Sequence, residues 1–232
     1  MEESQKKLKE YLPYVQDVFG RLYIIAIFFA ITFVIGFISA GPAIRLLTRF
    51  FNFPGVILAS TSPFQIVDLA MNIGLVLAFI VTIPLCLYHF YSFIGSGLRR
   101  GEKKLFFFFL PGIFILFFVG FAYSFYVMYF AMETLAQANT RFGIANLWDL
   151  GTFLTQIIGT SAILGLMFEF PVVITMLVRF GIVTVDFLKK KRRYVVFGLI
   201  LFTSFLPPTD GISLLMMATP LVVMYEGTIV YN

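Results

Sequence analysis

The stretch LFFFFLPGIFILFFVGFAYSFYVMYFA, residues 105–131, runs for 27 residues without one charged side chain. About 20 apolar residues in a helix cross the hydrocarbon core of a bilayer, which is about 30 Å thick. A chain in lipid must satisfy its backbone groups internally, so such a run is a transmembrane helix. Similar runs recur, LYIIAIFFAITFVIGFI among them. Overall, 60% of residues are hydrophobic and 12% charged, with a mean hydropathy of +0.95. A soluble domain does not have this composition. The expected fold class is an all-α integral membrane protein, one polytopic domain over residues 1–232 with six transmembrane helices. The expected spans are roughly 22–38, 64–93, 105–131, 152–180, 194–206 and 212–231.

Charge sets the orientation. Arg21, Arg99, Arg100, Lys103, Lys104, Arg179 and the run KKKRR (Lys189 to Arg193) all fall on one side of these spans, against Arg45, Arg49 and Arg141 on the other. The positive-inside rule then places both termini in the cytoplasm. The net charge of +5 is explained by this clustering at helix ends and gives no reason to expect nucleic acid as a partner. The basic segment around Lys6, Lys7 and Lys9 leads into an apolar run too long for a cleaved signal peptide, so a retained first helix is expected. The single cysteine, Cys86, excludes an intrachain disulfide framework.

The segment GPAIRLLTRFFNFPGVILASTSPF is too polar and broken to span. Arg45 and Arg49, at i and i+4, share one face of a short helix expected to lie in the interface. Ser62 and Pro63 are expected to start the second span as N-cap and first helical residue, and Gln65, Asp68 and Asn72 form a polar stripe just inside it. The fifth span is short: the 13 residues YVVFGLILFTSFL make a helix of about 20 Å against a core of about 30 Å. PPTDG follows at once as a turn. The last two helices are therefore expected to form a short hairpin relieved by local thinning of the bilayer.

One histidine and one cysteine cannot supply a His/Cys metal cluster, and no H-E-x-x-H, G-x-S-x-G or Walker A pattern appears. No metal, no cofactor and no enzymatic activity are expected. His89, in LYHFYSF, reads either as an interfacial packing residue or as a proton relay.

The sharper anomaly is GLMFEFPVV, residues 165–173. Glu169 sits about 15 Å along the helix from Arg179, hence near mid-membrane, where an ionisable side chain costs a few kcal/mol and faces a helix seam or cavity. Ala162 and Gly165 precede it at steps of three and four, with Thr155 on the same stripe, and small residues permit close helix approach. Pro171 adds a kink. Glu169 can fix helix register, or serve a function: as a contact for another helix, or in a proton-coupled secondary transporter or channel.

Several patterns resemble one family. FIGSGLRRGEKK (Phe93 to Lys104), FEFP (Phe168 to Pro171), KKKRRYV before the fifth span, and PPTDGISLLMMATPLVVMYE through the sixth are similar in order and topology to TatC, the receptor subunit of the twin-arginine protein translocase. The resemblance covers nearly the whole chain. It departs at Ser96, where the family usually has proline, at Leu214, where it usually has glutamine, and in the pattern before the first span.

The resemblance implies a non-enzymatic receptor in the cell inner (cytoplasmic) membrane. It would bind twin-arginine signal peptides at its cytoplasmic face, recruit single-span TatA/TatB-type partners, with self-association left open, and export folded proteins using the proton-motive force. It further implies a signal-peptide site at Glu102 and Phe93, completed before the first span by Arg21 with Asp17 or, as the other candidate, Glu10. Arginine presents a planar fork that a carboxylate accepts in two hydrogen bonds, so lysine should substitute poorly. Glu169, Pro171, Met216 and Thr219 are the implied docking site for a partner helix.

Overall fold

The apolar runs are helices, and the polar connections between two pairs of them meet as a small sheet. In the computed structural model of the chain, the backbone is described for residues 2–94, 100–179 and 181–232 and the side chains for 16–83, 85–86, 111–179 and 181–232. In order, the elements are α1 (Glu2–Ile38), α2 (Ala40–Phe50), β1 (Val56–Ala59), α3 (Gln65–Ile94), α4 (Arg100–Arg141), β2 (Asn146–Asp149), α5 (Leu150–Met167), α6 (Phe170–Arg179), α7 (Val185–Ser204) and α8 (Gly211–Tyr231). α1 packs on α3, α4 on α5, α3 on α5, and α7 on α8.

Close helix crossings occur where glycine removes the side chain. A Cβ on Gly36 of α1 would lie 2.8 Å from the Cα of Gly74 on α3, so these two backbones are nearly in contact. On the other seam, a Cβ on Gly165 of α5 would lie 2.9 Å from the Phe117 ring of α4, and one on Gly120 of α4 would lie 2.5 Å from Cγ of Phe168. The small-residue face expected around Gly165 is thus a contact face with α4, as packing of membrane helices favours.

α2 is the expected short helix. Its Arg45 and Arg49 are exposed, while Ile44 and Leu47 pack toward the core. The sheet was not expected. β1 and β2 pair in parallel, Val56 with Asn146 through Ala59 with Asp149, joining the α2–α3 connection to the α4–α5 connection. Beneath it, Phe51, Phe53, Tyr129, Trp148 and Phe153 form a continuous set of ring contacts, with centroids such as Phe53–Tyr129 at 5.0 Å and Trp148–Phe153 at 5.3 Å.

Asp149 fastens this end. Its carboxylate caps α5 by accepting from the Thr152 N–H at 2.7 Å, and accepts from the Gln65 amide at 2.5 Å and from the Thr61 hydroxyl. These donors, the Thr61 hydroxyl first, hold its carboxyl well below the usual aspartate range, because each favours the ionised form.

Several boundaries differ from the expectation, each for a local reason. α3 proper starts at Gln65, with the Phe64 carbonyl accepting from Val67 and Asp68, and the Ser62 hydroxyl accepts from Phe64 N–H at 3.3 Å over the turn that leads into it. The polar stripe divides accordingly, Gln65 turning into the Asp149 cluster while Asp68 is exposed. α4 runs through Pro111 and on for ten residues past Ala131. The expected fourth span, 152–180, is two helices, α5 and α6, interrupted at Phe168 and Glu169. The expected fifth span is the apolar end of a longer helix, because α7 begins at Val185 and carries Lys189 to Arg193 within it. Among the described residues five stretches are long and apolar enough to cross a membrane: Gln16–Ile38, Gln65–Ile83, Pro111–Arg141, Leu150–Arg179 and Gly211–Tyr231. α7 is not among them, so the count of six rests on its short apolar end.

Candidate functional site

Pro171 creates the geometry around Glu169. Proline has no N–H, and its ring excludes the carbonyl four residues earlier from the helical ladder. α5 accordingly tightens and stops: Phe168 N–H donates to Leu164 and Gly165 carbonyls at 3.1 and 3.2 Å, and Glu169 N–H to Leu166 at 3.0 Å. α6 then restarts, with the Glu169 carbonyl accepting from Val172 and Val173 at 3.0 and 3.1 Å. Pro171 falls in the first turn of α6, where no N–H is required of it. Its part is to build the break at which Glu169 sits.

Neighbouring aromatics fix the break from both sides. Phe168 is buried beneath Gly120 with its ring 6.0 Å from Tyr123 of α4, and Phe170 lies 6.2 Å from the buried ring of Tyr225 on α8. Thr175 closes the first turns of α6 by donating to the Pro171 carbonyl at 2.8 Å. The Glu169 side chain between these anchors is 5% exposed. Among the described residues no hydrogen bond or ion pair reaches its carboxylate. Burying a polar group without a partner costs a few kcal/mol, and intramembrane carboxylates that persist at such a cost mark functional sites.

A second proline organises α8. Pro220 lies inside that helix and leaves the Met216 carbonyl, four residues earlier, without its intrahelical donor. The Tyr123 hydroxyl supplies the missing bond, donating to the Met216 carbonyl at 2.7 Å. This joins α4 to α8 beside the Glu169 break. In lipid no water can replace that donor, so Tyr123→Phe should cost about 1–3 kcal/mol, read as a lower melting temperature in detergent at unchanged helix content.

The remaining sequence candidates divide. The Met216 side chain is half-buried, and its backbone carbonyl is its contribution to the seam. Met217 beside it is fully buried packing, and Thr219 is exposed with its hydroxyl donating back to the Leu215 carbonyl at 2.6 Å. Glu169, Pro171 and Met216 thus lie on elements joined through Phe168, Tyr123 and Phe170, whereas Thr219 points away from the α8 core. Asp17 and Arg21 form an i, i+4 ion pair at 3.0 Å on the outer part of α1, with the Asp17 side chain 51% exposed. Phe93 belongs to the last turn of α3 and Glu102 to the first turn of α4. Their side chains, with those of Glu10 and His89, lie outside the described residues.

Sequence reasoning missed Tyr123 and Asp149. Tyr123 carried no signal, since only the fold brings a tyrosine of α4 to the carbonyl that Pro220 frees. Asp149 carried one: an aspartate three residues before Thr152 at the start of an apolar run is an N-cap pattern.

Comparison with known proteins gives one consistent result. The family model described as "Sec-independent protein translocase protein (TatC)" matches residues 14–220. A Sec-independent protein translocase protein TatC of Halalkalibacterium halodurans is 30% identical over 225 residues, covering 94% of this chain and 87% of that relative. TatCy of Bacillus subtilis is 26% identical, covering 95% of this chain and 87% of its own length. Among solved structures, the crystal structure of the twin-arginine translocase receptor TatC in DDM superposes with a TM-score of 0.79 at 26% identity, covering 94% of this chain and 98% of that one. With the family match extending over most of its length, and the helical membrane architecture agreeing with it, the chain belongs to the TatC family of protein translocase components, which are membrane proteins and not enzymes.

Proposed function

We propose that this chain is the receptor subunit of a twin-arginine translocase in the cell inner membrane. Both termini are cytoplasmic, and the short apolar end of α7 serves as the fifth of six crossings. Twin-arginine signal peptides bind at the cytoplasmic face, where Glu102 receives the arginine pair with help from Asp17 or Glu10, Arg21 and Phe93. Single-span TatA/TatB-type partners dock at Glu169, and the proton-motive force drives export of folded cargo.

The observation that carries this reading is Glu169, 5% exposed and with its carboxylate lacking a donor among the described residues, set at a helix break in a chain of the TatC family. A partner helix with one hydrogen-bonding side chain would satisfy it. Asp17 supports the peptide-binding half: its side chain is 51% exposed on the outer part of α1, within reach of an incoming arginine.

The test of the receptor role is site-specific crosslinking. A photoreactive residue next to Glu102 should capture a twin-arginine signal peptide. Capture should fall at least tenfold when the peptide's arginines become lysines, and again in Glu102→Gln. Capture that is indifferent to both changes would refute the assignment.

A further inference from the structure

The run Lys189 to Arg193 indicates orientation in the sequence, and in the structure it lies on a helix that borders a groove. On α7, Lys189, Arg193, Val196 and Ile200 follow at steps of four, three and four, so they occupy one face of the helix. That face borders a groove of about 650 Å³ whose opposite wall is α8. The upper end of the groove holds Lys189, Lys190, Arg192 and Arg193, and its only carboxylate is Glu226.

Arg192 is taken up by Glu226, donating through Nε across the groove. Arg193 stacks on Tyr194 with its guanidinium 4.9 Å from the ring centroid, and donates to the tyrosine hydroxyl at 3.0 Å. Neither Lys189 nor Lys190 has a carboxylate partner among the described residues. Four cations against one carboxylate leave an excess of three positive charges at this end.

The lower end is of opposite character. Val196, Phe197 and Ile200 of α7 and Val222 of α8 line it, and Phe197 is 65% exposed. Tyr194, outside the groove's lining, is flanked by Arg193 and by Lys191 at 5.3 Å; amphipathic aromatics favour the headgroup level. A free anion has no use for the apolar half, and a zwitterionic lipid offers no net charge to the basic half.

We propose that this groove is a binding site for an anionic glycerophospholipid, its phosphate and net negative head held by Lys189, Lys190 and Arg193 and one acyl chain lying along Val196, Phe197, Ile200 and Val222. Basic pockets beside membrane helices recognise anionic lipids through this combination. The site is separate from Glu169 and does not depend on the receptor reading.

The test uses the full chain purified in detergent, supplied with phosphatidylglycerol or phosphatidylcholine of identical acyl chains, with bound lipid counted by native mass spectrometry. Phosphatidylglycerol should be retained preferentially. Each neutralising change among Lys189→Gln, Lys190→Gln and Arg193→Gln should lower its affinity about fivefold. Ile200→Trp, which fills the apolar half and leaves every charge in place, should also lower it. Inorganic phosphate at millimolar concentration should displace little.

Equal retention of the two lipids would overturn the proposal, as would unchanged retention in the neutralised variants. Full displacement by inorganic phosphate together with indifference to Ile200→Trp would reduce the groove to a free-anion site. Displacement by an acidic peptide and not by lipid would make it a protein contact. If the neutralised variants do not fold, the Ile200→Trp comparison decides.

Discussion

Glu169→Ala should leave the chain folded and strip it of its single-span partner. Among the described residues the carboxylate receives no hydrogen bond, so its removal breaks no polar interaction there and relieves a desolvation penalty of a few kcal/mol. What disappears is the bond to an incoming helix, worth about 1.5–3 kcal/mol for a charged group, or about tenfold to a hundredfold in affinity. Glu169→Gln, which keeps the volume and a hydrogen-bonding end, should retain part of the association, while Glu169→Leu should behave as alanine does. The measurement is co-purification with a TatA/TatB-type protein beside the melting temperature of each variant. Full association in Glu169→Ala would remove the docking role. A collapse in melting temperature would show instead that the carboxylate serves the bundle itself.

Gly120→Ala should damage stability and docking together. The added methyl would stand 2.5 Å from Cγ and 2.7 Å from Cβ of Phe168. These are the root of the side chain, so rotation of the ring cannot relieve the clash and the backbone at the α5–α6 break must shift. Overpacking of this kind costs about 1–3 kcal/mol, roughly 2–4 °C in melting temperature for each kcal/mol in a chain of this size. Phe168 is the residue before Glu169, so the displacement should also weaken partner retention. Gly198→Ala is the matched control. Nothing lies within 4 Å of a Cβ at that position, and alanine is the better helix former by about 0.5–1 kcal/mol, so that variant should melt no lower than the parent. If the two variants melt alike, the close approach at Gly120 is not what sets the break.

Apolar length made the membrane class legible, and the spacing of Arg45 and Arg49 made α2 legible, because both are local properties of the chain. Glu169 was visible as an anomaly for the same reason: one carboxylate in an apolar run needs no tertiary knowledge to notice. Its isolation from every described donor did need the fold. Pro171 announced a distortion, but whether a helix bends or stops there depends on what packs against it, here Phe168 under Gly120 and Phe170 beside Tyr225. The β1–β2 pair could not be read, because two four-residue segments become strands only when they meet, 90 positions apart in register. The extent of α7 was hidden because its basic residues look like a loop to any hydropathy argument, while helix propensity is indifferent to their charge. Lys189, Lys190, Arg192 and Arg193 consequently indicate orientation in the sequence and line a groove in the fold.

The parallel pair β1–β2 has a mechanical consequence. With Asp149 and the aromatic rings beneath it, the sheet joins one end of α3 to one end of α4 and α5. α4, with 42 residues, extends about 60 Å. A tilt of about 5° at the joined end moves the opposite end of such a helix by about 5 Å. Since contacts at Phe117, Gly120 and Tyr123 hold α4 along its middle, the stapled end and those contacts together fix the tilt of the helix, and with it the position of the end that carries Glu102.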